Sequence, residues 1–376
     1  MLIRRSILTL LLGLGSLAAN AQQPSFAKRV ITKVLVDTTA MNERSLRIYP
    51  TLGYAPETSF EFGLSSLMLF KVKDNDSNRL SELQGFTFFT LQKQYGIFID
   101  NAIYGDKDKW FFLGKTKFQR FPLLYYGIGP NTDAGEPAVI DASYLLLRQR
   151  VLRKIVPNLF LGPEVDYQLL FNTDFKQPSD MIYPLPTGAD GTSNLGLGIA
   201  LVYDNRHNVL NVRDGLFAEL SALDYRPETG SDYRFYAMTL DVRSYHPMNK
   251  RNVLAWQIFA NRFKGNVPFN QLALIGGDMM MRGYYQGRYR DNNLFSGQVE
   301  YRLLPFKFSK RFGGAVFGSV GAVAPNYGSF ALNEVRYAGG AGLRYLLFPK
   351  KDIFLRFDVG VTREGLNFYL YTGEAF

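Results

Sequence analysis

Hydrophobic and polar positions alternate along most of this chain, which is the pattern of β-strands with two different faces. From 195 to 203 the odd positions are large and apolar, whereas the even positions are mostly small. The same period recurs in 295–304 and 353–362, where the second face carries charged or small residues. One face of each strand is therefore apolar enough to contact lipid, although a soluble sheet has the same period.

Sixteen such strands are predicted, eleven before a long glycine-rich segment and five after it. Their approximate ranges are 45–55, 58–72, 81–92, 94–105, 109–127, 139–155, 159–173, 194–207, 216–227, 233–248, 252–265, 293–306, 312–324, 335–348, 353–364 and 367–376. An even number is typical of single-chain bacterial barrels. Closure removes unpaired edges, which would cost several kcal/mol per backbone group in lipid. The prediction is an all-β, sixteen-stranded antiparallel transmembrane barrel.

The connections between these strands predict how the barrel is oriented. Short polar turns alternate with longer connections along the chain. The short turns are 105–108, 247–251, 307–310 and 349–352, and the long ones are 128–138, 174–193, 266–292 and 325–334. Short turns usually face the periplasm and long loops face outward. Both termini are therefore expected in the periplasm.

The first 21 residues have the features of a signal peptide. Arg4 and Arg5 precede an apolar stretch, and Ala19-Asn20-Ala21 is an A-x-A cleavage site. The following segment, 22–44, is read as a short periplasmic piece. It is either an amphipathic helix, on the inner leaflet or inside the barrel, or an extended tether. Residues 45–376 are then the barrel, and 22–44 are too few for a periplasmic domain.

The amino-acid composition argues against several other classes of protein and of functional site. The chain has no cysteine, which excludes disulfides, thiolate metal sites, a cysteine nucleophile and lipoprotein acylation. Mean hydropathy is only -0.10, too polar for a bundle of membrane helices. Aromatic residues make up 15% of the chain, as expected for a barrel with aromatic girdles. The alternative is a secreted β-sandwich, for which a chain of this length without a disulfide is unusual.

The chain is basic, with a net charge of +10, or +8 once Arg4 and Arg5 are removed with the signal peptide. One interpretation is attraction to phosphates of lipids at the membrane surface. The other is that the charges lie in solvated turns and in a basic lumen. Nucleic acid is not an expected partner of an exported barrel.

The long segment 266–292 contains the most informative motif. Gly276-Gly277 is followed by Arg282-Gly283-Tyr284, and Glu300 lies on the polar face of the next strand. An arginine inside a barrel needs an acidic partner or water, so Arg282 is predicted to pair with Glu300. The glycines permit tight turns and a close approach to the wall. An ordinary porin constriction loop is the alternative.

These motifs, in their order and spacing, resemble the BamA/TamA superfamily of outer-membrane assembly and translocation barrels, also called the bacterial surface antigen family. The R-G-[FY] tip of that family's inward-folded sixth extracellular loop corresponds to Arg282-Gly283-Tyr284. The family's periplasmic turn is similar to a second group of residues. These are Asp204, Arg206, Asp214 and Gly215.

The resemblance implies further site residues. Relatives often carry a second acid in the lumen, at a position where this chain has Ser319, and Asp358 is expected to substitute for it. Phe368, Leu370 and Phe376 form a partial terminal-strand signature, interrupted by Glu374. The chain looks like a barrel-only branch that lacks the periplasmic POTRA domains.

Three functions are compatible with these patterns. The first is assistance in outer-membrane protein assembly, translocation or lipid remodelling, at a weak seam between the first and last strands. The second is a passive pore. The third, a barrel enzyme, is disfavoured because only His207 and His246 could act as a histidine base, and neither has an evident serine–acid setting.

The expected location is the outer membrane of a Gram-negative bacterium, and no cofactor or metal is expected. Expected partners are outer-membrane lipids and lipopolysaccharide. Nascent outer-membrane proteins, a periplasmic partner or a second copy of the chain are further candidates.

Overall fold

The computed structural model describes residues 45–75, 78–133, 135–206, 211–349 and 352–376. Within them the chain forms sixteen antiparallel strands that close into a barrel. The strands are β1 Ser45–Ala55, β2 Ser59–Phe70, β3 Ser81–Thr90, β4 Tyr95–Tyr104, β5 Trp110–Arg120, β6 Ala138–Val156, β7 Leu159–Lys176, β8 Thr192–Asp204, β9 Gly215–Tyr225, β10 Phe235–Pro247, β11 Asn252–Gly265, β12 Asn293–Leu303, β13 Phe312–Ala324, β14 Arg336–Phe348, β15 Ile353–Thr362 and β16 Gly365–Thr372. The predicted fold class is confirmed.

Each strand pairs with the next one along the chain, and β1 pairs with β16 to close the sheet. Two predicted boundaries were wrong. The strand predicted over 109–127 ends at Arg120 and resumes only as the short segment Leu123–Tyr125, because Pro122 has no N–H to donate to the sheet. The last strand ends at Thr372 rather than at 376.

The two faces of the wall are the reverse of those in a soluble protein. Large apolar side chains point outward, such as Ile199, which is 61% exposed. Charged side chains point inward, and Asp166 and Glu164 are almost completely buried there. This arrangement suits a wall between lipid and a polar lumen.

The longest connections lie at the end of the barrel that contains the predicted loop 266–292, together with the tight turns 56–58, 91–94 and 363–364. Most connections at the other end are short, although 71–80 and 205–214 are longer. No helix in the described parts of the chain is long and apolar enough to cross a membrane. The predicted signal peptide, 1–21, and the predicted periplasmic segment, 22–44, lie outside the described residues. His207 also lies outside them.

Candidate functional site

The segment 266–292 folds back into the barrel as a hairpin. Its arms, Ala273–Ile275 and Tyr289–Asp291, pair with each other rather than with the wall. Gly276 has a φ of 109°, and a Cβ on it would lie 2.1 Å from the carbonyl oxygen of Tyr285. Only glycine fits this turn, which aims the residues after it at the lumen wall.

Arg282 is at the inner end of this loop and is buried between two carboxylates. Its Nη2 lies 2.5 Å from Oε2 of Glu300, and its Nη1 lies 2.6 Å from Oδ2 of Asp358. The guanidinium group also covers the ring of Phe317, with its carbon 3.5 Å from the ring centroid. Two strands that are not neighbours, β12 and β15, are thereby joined to one loop residue. Breaking a buried pair typically costs about 3–5 kcal/mol.

Two more buried arginines share the carboxylates that hold Arg282. Arg302 places its Nε 2.7 Å from Glu300 Oε1, and Arg344 places its Nη1 2.5 Å from Asp358 Oδ1. We call Arg282, Glu300, Arg302, Arg344 and Asp358 the loop anchor. Because each carboxylate binds more than one arginine, every charge in the loop anchor has a partner of opposite sign.

A fourth arginine ties a second part of the loop to the wall. Arg356 on β15 donates from Nη2 to Asp278 Oδ2 at 2.7 Å, and its Nη1 lies 3.1 Å from Asp358. The residue Asp278 belongs to the loop and directly follows the glycine pair. The loop is therefore held at both ends of its inner segment.

The backbone of the loop tip is bound by the last strand. The amide of Gly283 donates to the Tyr369 hydroxyl at 2.9 Å, and Asn367 Nδ2 donates to the Gly283 carbonyl at 2.6 Å. Gly360 on β15 makes room for this approach, since a Cβ on it would lie 2.5 Å from the Arg282 carbonyl oxygen. The tip residue Tyr284 is buried, and its hydroxyl donates to the carbonyl of Tyr337 at 3.3 Å.

The structure brings together most, but not all, of the predicted loop partners. Glu300 and Asp358 both contact Arg282, whereas Ser319 lies apart and donates from its hydroxyl to the Ala338 carbonyl at 3.4 Å. The sequence did not identify Arg344 and Tyr369 as partners. Alternation places them on the inward face, but which inward residues meet across the lumen depends on the tilt and stagger of the strands.

The segment after β16 turns into the lumen. Gly373 has a φ of 94°, and beyond it Glu374 lies 2.9 Å from Arg344 Nε. Phe376 is buried, and its main-chain oxygen accepts from Arg302 Nη2 at 2.8 Å. We call Gly373–Phe376 the tail. The expectation that Phe376 continues the terminal strand was wrong, because the two arginines draw the tail inward.

The junction between β1 and β16, here called the seam, is weakly paired. In the described part of the chain, Tyr54 and Leu370 are the only opposed residues that join the two strands. By contrast, β15 and β16 are paired without interruption from Leu355 and Thr372 to Thr362 and Gly365. Of the predicted terminal signature, Phe368 and Leu370 remain on the outer face of β16.

One side-chain bond crosses the seam inside the lumen. The Tyr371 hydroxyl on β16 donates to Glu61 Oε1 on β2 at 2.9 Å. Glu61 also accepts from the Thr58 hydroxyl at 2.5 Å. In the described residues, a short backbone contact and the half-buried bond between Tyr371 and Glu61 join the first hairpin to the last strand.

The first hairpin also contacts the inward loop. Glu57, in the turn between β1 and β2, accepts from the amide of Gln286 at 2.7 Å. Burial raises the pKa of Glu57 to about 7, and repulsion from Asp278 and Glu61 acts in the same direction, against the hydrogen bond from Gln286. This contact is the part of the loop attachment that titrates near neutral pH.

The predicted turn motif forms a second cluster, at the opposite end of the barrel. Asp204 is buried and binds Arg206 through Nε at 2.9 Å and Nη2 at 2.8 Å. Gly215 has a φ of 114°, and a Cβ on it would lie 3.0 Å from the Cα of Arg206. Burial works against the charged form of Arg206, but Asp204 holds the pKa of the guanidinium above its usual range. Asp214, the fourth predicted member, is exposed to solvent.

A water-accessible cavity of about 840 Å³ lies between the loop and the inner faces of the first strands. Its lining combines apolar side chains such as Phe86 and Phe98 with charged ones of both signs, including Asp100, Lys115 and Arg243. In the described residues, no cluster of histidine, aspartate and glutamate is arranged to hold a metal ion. The loop therefore fills one side of the lumen, and the other side has space for water-sized molecules.

Comparison with known proteins agrees with this architecture. Residues 98–362 match the Omp85 superfamily domain. The chain is similar to BamA from Haemophilus ducreyi lacking POTRA domains 1–3, at 15% identity and a TM-score of 0.55, covering 88% of this chain and 70% of that one. It is also similar to CdiB from Escherichia coli, at 10% identity and a TM-score of 0.56, covering 89% and 64% of the two chains. For CdiB from Acinetobacter baumannii the values are 10%, 0.52, 88% and 65%.

The chain spans less than two thirds of either CdiB structure. No curated protein matches it. At these identities the solved structures establish the fold, whereas the domain match covers more than half of the chain. The resemblance drawn from the loop and turn motifs is confirmed at the level of the family, and the chain belongs to the Omp85 superfamily.

Proposed function

We propose that this barrel assists the assembly or translocation of outer-membrane proteins, or the remodelling of outer-membrane lipids, and that it acts at the seam. The protein would act in the outer membrane of a Gram-negative bacterium. Membership of the Omp85 superfamily supports this class of function. The loop anchor braces the wall on one side of β16, so that the other edge of the same strand is free to exchange partners.

The observation that carries the proposal is the short pairing at the seam. From Ile48 to Gly53, the edge of β1 that faces β16 has no strand partner among the described residues. Unpaired N–H and C=O groups of a strand edge are a template for an added strand. In lipid each such group costs several kcal/mol, so an incoming strand that satisfies them is stabilised.

The direction of the barrel is part of the proposal. The inward loop and the other long connections mark the extracellular end, and the short turns mark the periplasmic end. With β1 starting at the end of the short turns, both termini are periplasmic. In this orientation, nascent outer-membrane proteins reach the seam from the periplasm. They arrive either alone or through a periplasmic partner or a second copy of the chain.

A passive pore is the second candidate, and the cavity of about 840 Å³ beside the loop favours it. A pore of this kind would conduct steadily, and removing 276–288 would raise its conductance. If the protein instead acts at the seam, the insertion of other outer-membrane proteins should not depend on its conductance. No catalytic role is proposed, and His246 contacts only the Ser244 hydroxyl, at 2.9 Å, among the hydrogen bonds of the described residues.

The experiment locks the seam. The chain has no cysteine, so the pair Tyr54→Cys and Leu370→Cys introduces a single disulfide. Opposed residues of antiparallel strands have Cα atoms about 4.5–5.5 Å apart, which a disulfide can span. The matched control is Val359→Cys with Phe368→Cys, which staples the fully paired junction between β15 and β16.

Both variants are expressed in a strain from which the gene has been deleted, and the outer-membrane proteome is quantified. We expect the seam lock to fail to restore a defined set of outer-membrane proteins until it is reduced, and the control to restore them. A locked seam that restores the full proteome contradicts the proposal. If the proteome is unchanged but permeability is altered, the result supports a pore. If the proteome is unchanged but lipid asymmetry is altered, the result supports a role in lipid remodelling.

A further inference from the structure

A group of exposed cations lies on two adjacent turns at the end of the barrel opposite the inward loop. Residues 248–251 connect β10 to β11, and residues 304–311 connect β12 to β13. The amide of Leu304 donates to the carbonyl of Arg251 at 2.9 Å, so the two turns form one surface. We call this surface the basic rim, and its cations are Lys250, Arg251, Lys307, Lys310 and Arg311.

Within the described residues, no carboxylate neutralises the charges of the basic rim. Neither turn contains an acidic residue. Arg251 and Arg311 donate to main-chain carbonyls, of Phe306 at 3.4 Å and of Leu346 at 2.8 Å. No carboxylate in the described parts of the chain forms an ion pair with any of the five. The basic rim is therefore a concentrated positive surface that needs an anion from outside.

Aromatic side chains place the basic rim at the level of lipid headgroups. Phe312 and Tyr345 are opposed on β13 and β14, point outward, and have ring centroids 5.2 Å apart. Such pairs mark the membrane interface in barrels. Just beyond them Phe308 is 87% exposed, and its ring stacks on that of Phe306 with centroids 5.1 Å apart. Exposed rings beside cations suit an interface that is partly apolar and partly anionic.

Another turn at the same end differs in charge. The turn between β4 and β5 also has two exposed lysines, Lys107 and Lys109, and an outward aromatic, Trp110. Its lysines alternate with Asp106 and Asp108, and Asp106 binds Lys73 at 2.7 Å. Both surfaces therefore have exposed lysines beside an outward aromatic residue. They differ because the lysines of the β4–β5 turn have acidic neighbours, whereas the turns of the basic rim contain no acidic residue.

We propose that the basic rim binds the phosphate headgroups of anionic phospholipids in the leaflet at this end of the barrel, which is the periplasmic leaflet in the orientation given above. The cations hold the phosphates, and Phe308 inserts among the acyl chains next to them. The site lies on β10–β13, away from the seam. It is independent of what the seam does and would hold if the barrel were only a pore.

The test compares lipid preference in two matched variants. The full chain is placed in nanodiscs of phosphatidylcholine with a minority of phosphatidylglycerol, and the lipids retained on the released protein are counted by native mass spectrometry. Lys307→Gln with Lys310→Gln removes two charges from the basic rim. Lys107→Gln with Lys109→Gln removes two charges from the control turn.

We expect the rim variant to lose preference for phosphatidylglycerol on the order of ten-fold, from the usual contribution of each basic residue at an anionic surface. The control variant should change little, and added salt should weaken the preference of both the wild type and the control variant. Equal losses in both variants would mean that net charge alone attracts the lipid, and would overturn the site. If the rim variant keeps its preference for phosphatidylglycerol, the proposed lipid site is also overturned. An acidic protein surface would then be the alternative partner of the basic rim.

Discussion

The two edges of β16 differ in how they are paired with their neighbours. On the side of β15 the strand is fully paired, and its Asn367 and Tyr369 hold the loop tip. On the side of β1, the described residues contain a single opposed pair, Tyr54 and Leu370. One strand is therefore held firmly at one edge and left almost free at the other. A strand held in this way can exchange its outer partner without leaving the wall.

The same arginines explain both sides. Arg302 and Arg344 bind the carboxylates that hold Arg282, and they also bind the tail. The tail would otherwise continue β16 downward beside the lower half of β1. Among the described residues the pairing already ends at Leu370, and the inward turn of the tail prevents the four residues after Thr372 from extending it. The loop anchor thus stabilises the wall and, through the tail, limits the pairing at the seam.

The largest expected effect is from breaking the loop anchor. In Arg282→Ala, two buried carboxylates lose a partner, and we expect a loss of about 3–5 kcal/mol in the free energy of unfolding, reduced where water or the remaining arginines compensate. Urea titration of the folded band in lipid measures it. The control, Arg234→Ala, removes an exposed loop pair with Glu228 and should cost below about 1 kcal/mol. Equal losses would mean that the loop anchor is not the stronger region.

The next effect comes from pushing the loop tip off the wall without removing a charge. In Gly360→Ala the new methyl group would meet the Arg282 carbonyl, and overpacking of this kind costs about 1–3 kcal/mol. Gly318→Ala on β13 is the control, since a Cβ there has no neighbour within 4 Å. We expect protease cleavage within the loop to rise only for Gly360→Ala. Cleavage that rises for both would point to a general loosening of the wall.

Much of the contrast between the two sides of β16 was accessible from the sequence, and part of it was not. Alternation around Glu300 and Asp358 indicated that both face the lumen, and Arg282 carried the only R-G-[FY] tip in a long loop. Alternation is a local property, so it follows from a few residues of one strand. The inward turn of the tail is different, because it depends on arginines of β12 and β14 that meet it across the lumen. A period of two also predicts Phe376 in the wall, and long-range charge overrides it.

A smaller effect is expected at the seam itself. Tyr371→Phe removes the hydrogen bond to Glu61, which contributes about 0.5–1.5 kcal/mol. Amide hydrogen exchange should accelerate in β1 and leave β15 unchanged, because local opening begins where pairing is shortest. Tyr144→Phe, which removes a bond of 2.7 Å to Gln168 within the fully paired wall, is the control and should not alter β1. Protection of β1 that survives Tyr371→Phe would mean that the backbone contact alone closes the seam.

The smallest effect links the two regions through pH. The pKa of Glu57 is raised to about 7 from an ordinary value of 4.5, so the folded state binds the proton more tightly than the unfolded state. Its contribution to stability is therefore greatest below about pH 4.5 and declines as the pH rises to 7, above which it stays constant. The thermal midpoint of Glu57→Gln relative to wild type should increase between about pH 5 and 7.5, the range over which this carboxyl group titrates. The direction of this change, rather than its size, is the test. If Glu57→Gln instead runs parallel to wild type, the contact with Gln286 does not titrate, and the loop joins the first hairpin with the same strength at every pH in this range.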